Sequence, residues 1–199
     1  MQRAIDNFLN SMDRVDNIGG LYRALASLTT GIIDKSDLLR AQIVMAVSAL
    51  DYYIHEVTVI GMIDTIEGRR PPTKSFDNYR VSVRNLSLGT QSGGSVWFEN
   101  DIRERHGFAS FQQPDKIADA IHLFSTVKLW SAVALKMTKL EKDITDELRL
   151  IILRRNKIAH EADMDPSYPG TRWPIHESEV ERSLEFLREL CMSIHNVIT

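Results

Sequence analysis

A single cysteine, Cys191, stands among 199 residues, so no disulfide framework holds this chain together. A lone thiol in an uncharged apolar run fits a reducing compartment, and the cytoplasm is the expected location. Long hydrophobic runs are scarce as well: no apolar stretch approaches the ~20 residues that span a bilayer. The N-terminal MQRAIDNFLNSMDRVDN lacks the apolar core of a signal peptide, and no membrane association is expected. Neither sign of charge dominates. With 24 Lys and Arg against 27 Asp and Glu, the net charge of -3 exerts no global pull on nucleic acid or anionic lipid, so a polyanion would have to bind at a local site.

Glycine (10) and proline (6) are few, and the stretches between them repeat with helical rather than alternating period, which points to an all-α chain. At 43% hydrophobic and 26% charged residues, the expected organisation is one domain over 1–199. A chain of this size buries roughly 70% of its unfolded surface and needs no metal or disulfide staple. Residues 2–30 read as one helix, interrupted or kinked at Asn17-Ile18-Gly19-Gly20, because paired glycines cost roughly 2 kcal/mol in a helix interior. Residues 36–67 carry Ile43, Val47, Leu50, Ile54, Val57 and Gly61 at three-four spacing, a single buried seam that ends at Gly68-Arg69-Arg70-Pro71-Pro72.

Residues 69–113 read as an insertion between core helices, with short helices at 77–88 and 97–106 separated by Gln91-Ser92-Gly93-Gly94-Ser95. Pro114 suits a first helical position, and helical runs follow to Phe124 and over 127–137. A helix over 142–161 leads to a turn-rich loop, 162–176. The last helix opens on a capping box, Ser178 to Glu181, and its seam is Val180, Leu184, Leu187, Cys191, Ile194 and Ile198. Cys191 in that seam is a packing residue rather than a nucleophile.

One helix carries an anomaly. Ile144, Leu148, Ile151, Ile152, Ile158 and Ala159 form an apolar face, and Arg155 projects from its middle. An unpaired buried guanidinium would cost several kcal/mol, so Arg155 must meet an acid, line a polar cleft or sit between subunits. His160 lies about 140° further round the helix, while Asn156 is one turn before His160 and shares its side. Two copies of the helix meeting about a two-fold axis would bring Arg155 and His160 of both chains to one groove. The plainer readings are a structural ion pair for Arg155 and a surface or capping role for His160.

Metal sites find little support. His55-Glu56 and His160-Glu161 each lack the second histidine of a zincin, and Asp163-Met164-Asp165-Pro166 lacks the other ligands of a calcium loop, so no metal or other cofactor is expected. Arg69, Arg70, Lys74, Arg80 and Arg84, with Tyr79 interleaved, read either as a strip that tracks a single strand or as an ordinary solvated surface.

The string Leu153-Arg154-Arg155-Asn156-Lys157-Ile158-Ala159-His160-Glu161 resembles the Arg-Asn-x-x-x-His signature of the HEPN superfamily. Its surroundings resemble the RiboL-PSP-HEPN branch over about residues 36–198: Ala49-Leu50-Asp51-Tyr52-Tyr53-Ile54-His55-Glu56, Gln113-Pro114-Asp115-Lys116-Ile117, and Trp130. Residues 1–35 carry less of the likeness. The resemblance implies an antiparallel all-α bundle that dimerises around the motif helices. It also implies a metal-independent endoribonuclease of toxin or antiviral defence systems, held in check by an antitoxin or other neutralising protein.

By motif position, His160 would be general acid or base and Arg155 the clamp on the transition-state phosphate. Asn156 would orient His160 or the phosphate, and Arg154 would bind the RNA backbone. Asp51 would orient a catalytic group or pair with Arg155, or else stand as a solvated carboxylate. The alternative within the same resemblance is a non-catalytic module that binds RNA, a nucleotide or a partner protein.

Overall fold

The computed structural model describes residues 1–28, 33–92 and 94–199 and, of residues 88, 90 and 92, the backbone only. Among the described residues the chain is all-α, with 74% in helix and no strand. The helices are α1 (Gln2–Leu28), α2 (Ser36–Ile66), α3 (Lys74–Asp77), α4 (Val83–Ser92), α5 (Val96–His106), α6 (Pro114–His122), α7 (Leu129–Met137), α8 (Glu141–Glu161) and α9 (Glu177–Ile198).

Helix α2 is the centre of the bundle, and all six seam residues read from its three-four spacing are buried. By length and hydropathy α2 could cross a membrane, contrary to the expectation that no stretch approaches that limit, but 56% of its apolar window is buried inside the fold. The apolarity serves helices on several sides: α1, α5, α6, α8 and α9 all pack on α2. Helices α1 and α2 run antiparallel, with Phe8 beside Tyr53 (ring centroids 6.0 Å apart) and Gln42 donating from Nε2 to the Val15 carbonyl at 3.1 Å. Helix α9 in turn runs antiparallel to α1, where Arg188 pairs with Asp16 and Arg23 with Glu177.

Helix α1 passes through Gly19-Gly20 without the expected interruption. A Cβ on Gly19 would lie 2.7 Å from Gln42 Nε2, so this glycine admits the α2 amide rather than breaking the helix. The expected end of this helix at 30 lies outside the described residues, as does Gly93 of the separator in the insertion. The capping box at Ser178 does not form either. Helix α9 starts two residues earlier than that box requires, His176 stands at its N-cap with no side-chain cap, and the His176 carbonyl accepts from the amides of Glu179 and Val180. Its seam, Val180 to Ile198, is buried as expected, Cys191 included.

Within 69–113 the expected helix at 77–88 is instead two, α3 and α4. Thr73 caps α3 by accepting from the Phe76 amide at 3.0 Å, and donates to the carbonyls of His122 and Leu123, which ties the segment to the end of α6. Asp101 of α5 accepts from the Ser82 amide and from Asn85, and Arg103 pairs with Glu56 of α2. The basic strip is not free along its length: Arg69 is paired with Asp64 and Glu67, while Arg70 bonds the Ile198 carbonyl and lies over Phe124.

Candidate active site at the C-terminal end of α8

The buried face of α8 is Ile144, Thr145, Leu148, Ile151 and Ile152. Ile158 is only half-buried and Ala159 is exposed, so the expected apolar face frays over the last two turns, where the helix emerges from the bundle. Arg155 lies at the centre of the core-facing direction at that point. Its side chain is half-buried, its Nε is enclosed and has no hydrogen-bond partner, and its Nη1 donates to Asn156 Oδ1 at 3.0 Å. The guanidinium therefore bends off the apolar axis toward the side that Asn156 shares with His160. This local bond joins neighbours that helix geometry alone would separate by about 100°. His160 is exposed on the last turn.

The two neighbouring candidates are placed differently. Arg154 Nη2 donates to Asp163 Oδ2 at 2.9 Å and to the Pro174 carbonyl at 3.0 Å, so its guanidinium is tied into the fold beyond α8. Burial holds it below the usual arginine pKa, against the opposing pull of Asp163. Asp51 accepts from the Phe111 amide at 2.6 Å and from Gln112 Nε2 at 3.1 Å, which anchors the approach to α6. It does not pair with Arg155. Arg40 and Arg154 share Asp163, which sets the level at which α2 and α8 cross, and Asp51 lies about 16 Å further along α2 at 1.5 Å per residue.

The sequence offers Asp163 only as part of a rejected calcium loop, and its structural role is a different one. Its side chain is fully buried, and its Oδ2 accepts from Arg40 Nε at 2.7 Å as well as from Arg154. Arg40 is completed by Ser36 Oγ and the Trp173 carbonyl. The Asp163 amide donates to the Lys157 carbonyl at 2.9 Å, closing the end of α8, and its carbonyl accepts from the Trp173 amide at 2.8 Å. Ala162 and Asp163 both have positive φ (51° and 58°), and aspartate is among the residues that tolerate this region. The available signal was an aspartate just past the end of a helix with adjacent arginines, Arg154 and Arg155, in its last turns. What it lacked was any local sign of Arg40, 123 residues away.

The last turn of α8, with His160 on it, is thus fixed from below by a carboxylate shared between two arginines. The other face of α8 is open. Leu150 and Leu153 are 67% and 53% exposed, and with Lys157 and His160 they follow the three-four spacing of a single stripe. A cleft of about 460 Å³ between α8 and α9 is lined by Leu150, Arg154, Glu179 and Arg182, and Arg155 and His160 do not line it. Among the described residues no three His, Cys, Asp or Glu side chains converge to hold a metal ion.

Comparison with curated proteins and with solved structures gives no match. The family model for RiboL-PSP-HEPN matches residues 10–199, which extends the likeness back into α1, beyond the 36–198 expected from the motifs. With nearly the whole chain covered, and with the Arg-Asn-x-x-x-His string on the last turns of a core helix, the chain belongs to the RiboL-PSP-HEPN family.

Proposed function

We propose that this protein is a metal-independent endoribonuclease of HEPN type, acting as a cytoplasmic defence effector or toxin that a neutralising protein restrains. Family membership points to RNA-directed or nucleotide-directed function, and the residue chemistry supports the finer reading. The observation that carries it is the Arg155–Asn156 bond, which turns a guanidinium from the core-facing side of α8 toward the side of an exposed histidine one turn away. A 2′-hydroxyl beside the scissile phosphate attacks phosphorus in line. His160 moves the proton, Arg155 offsets the extra charge on the phosphorane-like transition state, and Asn156 orients the pair. The products are a 2′,3′-cyclic phosphate and a 5′-hydroxyl, with no metal in the mechanism. Arg154 and Asp51 act structurally.

The working unit is a homodimer. Leu150 and Leu153 are exposed on the stripe that continues through Lys157 to His160, which supports packing of this helix against its own copy. Residues 69–113 are an insertion in a single domain over 1–199. Labelled single-stranded RNA incubated with the protein in excess EDTA, beside a His160→Ala control, tests the reading. Cleavage by the parent alone supports it, and parent and variant cutting equally would remove His160 from the mechanism. Sedimentation as a monomer at micromolar concentration would remove the dimer.

A further inference from the structure

Directly after α8 the chain makes a small, internally closed hairpin. Met164 and Arg172 form an isolated antiparallel bridge, the Asp165 amide donates to the Thr171 carbonyl at 2.9 Å, and the Tyr168 and Thr171 amides close the turn. Asp165 caps it from inside, accepting from the Ser167 amide at 2.9 Å, and Gly170 takes the positive φ (83°) that the reversal needs. The base is pinned by Asp163 and by Arg172, which pairs with Asp34 and Asp37. Such rigidity contrasts with what the hairpin covers, because residues 166–171 are all exposed and Tyr168 at the tip is 68% exposed. A hairpin held this firmly while its one large aromatic side chain faces solvent is built for a ligand rather than for the core.

Its surroundings define the ligand chemistry. The tip, Pro-Ser-Tyr-Pro-Gly-Thr, has no charge to repel a phosphate backbone. At its base Lys157 Nζ is held 4.7 Å from the centroid of the Trp173 ring, on the α8 stripe that also carries His160. Four steps of chain separate Met164 from Tyr168, so the Tyr168 backbone lies within about 13 Å of the hairpin's base at 3.3 Å per residue. A cation beside the motif with an aromatic face beyond it is the arrangement that receives single-stranded nucleic acid, phosphate first and base next.

We propose that Tyr168 is a stacking platform for a nucleobase adjacent to the cleaved phosphate, so that the hairpin sets where along a single strand the protein acts. This rests on the RNA-directed reading above, and the test separates the two. The full-length His160→Ala protein, in which cleavage is disabled, is titrated with a fluorescein-labelled oligouridylate and with the same strand carrying one 2-aminopurine. Tyr168→Ala in that background should weaken binding about 5- to 150-fold and abolish 2-aminopurine quenching, the range that loss of one base–aromatic stack gives. Tyr168→Phe keeps the ring and should bind within about twofold of the parent. The side chain is exposed and the hairpin's bonds use its backbone, so neither change threatens the fold.

Unchanged binding in Tyr168→Ala, or a Phe variant as weak as the Ala variant, overturns the platform. If protein with His160 intact proves unable to cut RNA while the binding series behaves as stated, the nuclease reading falls and the platform stands. If cleavage proceeds and Tyr168→Ala changes neither affinity nor cut position, only the platform falls. Absence of any binding removes both.

Discussion

Replacing Asp163 with alanine removes a fully buried carboxylate whose Oδ2 is shared by two arginines. Its carboxylate is fully buried and receives two charge-assisted hydrogen bonds, at 2.7 Å from Arg40 and 2.9 Å from Arg154. Removing it leaves two guanidinium groups facing one another. Arg40, at 7% side-chain exposure, cannot recover its hydration, whereas Arg154, at 25%, recovers part of it. Arg40 keeps its bonds to Ser36 and to the Trp173 carbonyl, which bounds the damage. Deleting one partner of a buried pair costs about 3 to 5 kcal/mol. For a chain of this length each kcal/mol shifts the melting temperature by roughly 2 to 4 °C, so Asp163→Ala should melt about 6 to 20 °C lower.

Thermal unfolding followed by helical circular dichroism, with urea titration as a second measure, checks the value. The double variant Arg40→Met, Asp163→Ala should lose less than the two single losses added, because the uncompensated charge has gone. A loss in Asp163→Ala below about 1 kcal/mol, or simple additivity, would refute the buried triad as the support of α8's last turn.

Gly61→Ala would place a Cβ 2.2 Å from Phe124 Cγ, and the overpacking should cost about 1 to 3 kcal/mol in denaturant titration. Burial lowers the pKa of His106, helped by repulsion from His55 and Arg105, and burial also lowers that of His195. Both imidazoles therefore bind protons more readily in the unfolded chain. Their contribution is complete above the usual 6.5 and is lost as pH falls through it toward the folded values, so the melting temperature should drop between about pH 7.5 and 5.5. His106→Phe, which keeps ring contacts with Tyr79 and Phe111, should flatten that drop, and an unchanged slope would count against it. Arg155→Lys should lose RNA cleavage while folding normally, since a point ammonium cannot reproduce the planar fork; retained cleavage would remove Arg155 as the clamp.

The helices were legible in the sequence because their seams repeat with the period of the structure. Val180 to Ile198 on α9 and Ile43 to Gly61 on α2 are buried just as their spacing requires. Composition misled where a residue's purpose lay in a neighbour far along the chain. Gly19-Gly20 looked like a break, yet Gly19 makes room for Gln42. Arg154 also bonds Asp163 and the Trp173 and Pro174 carbonyls beside Arg40, a convergence that no local pattern announces. Ser178 and Glu181 had the letters of a capping box, but the chain entered α9 two residues earlier than that motif needs. At the candidate site the motif supplied Arg155, Asn156 and His160. Only the side-chain conformation supplied the bend that turns the arginine toward the histidine's side.

The most direct test is cleavage, in excess EDTA, of an RNA that the protein cuts, compared with the same strand carrying a single 2′-deoxyribose at the cut position. Attack by the 2′-hydroxyl predicts a 2′,3′-cyclic phosphate from the first strand and, from the second, binding without cleavage. His160→Ala should slow the first reaction by about 10² to 10⁴-fold while leaving binding intact. Cutting of the deoxy strand, or a requirement for a divalent ion, would contradict proton transfer by His160 to and from a 2′-hydroxyl nucleophile.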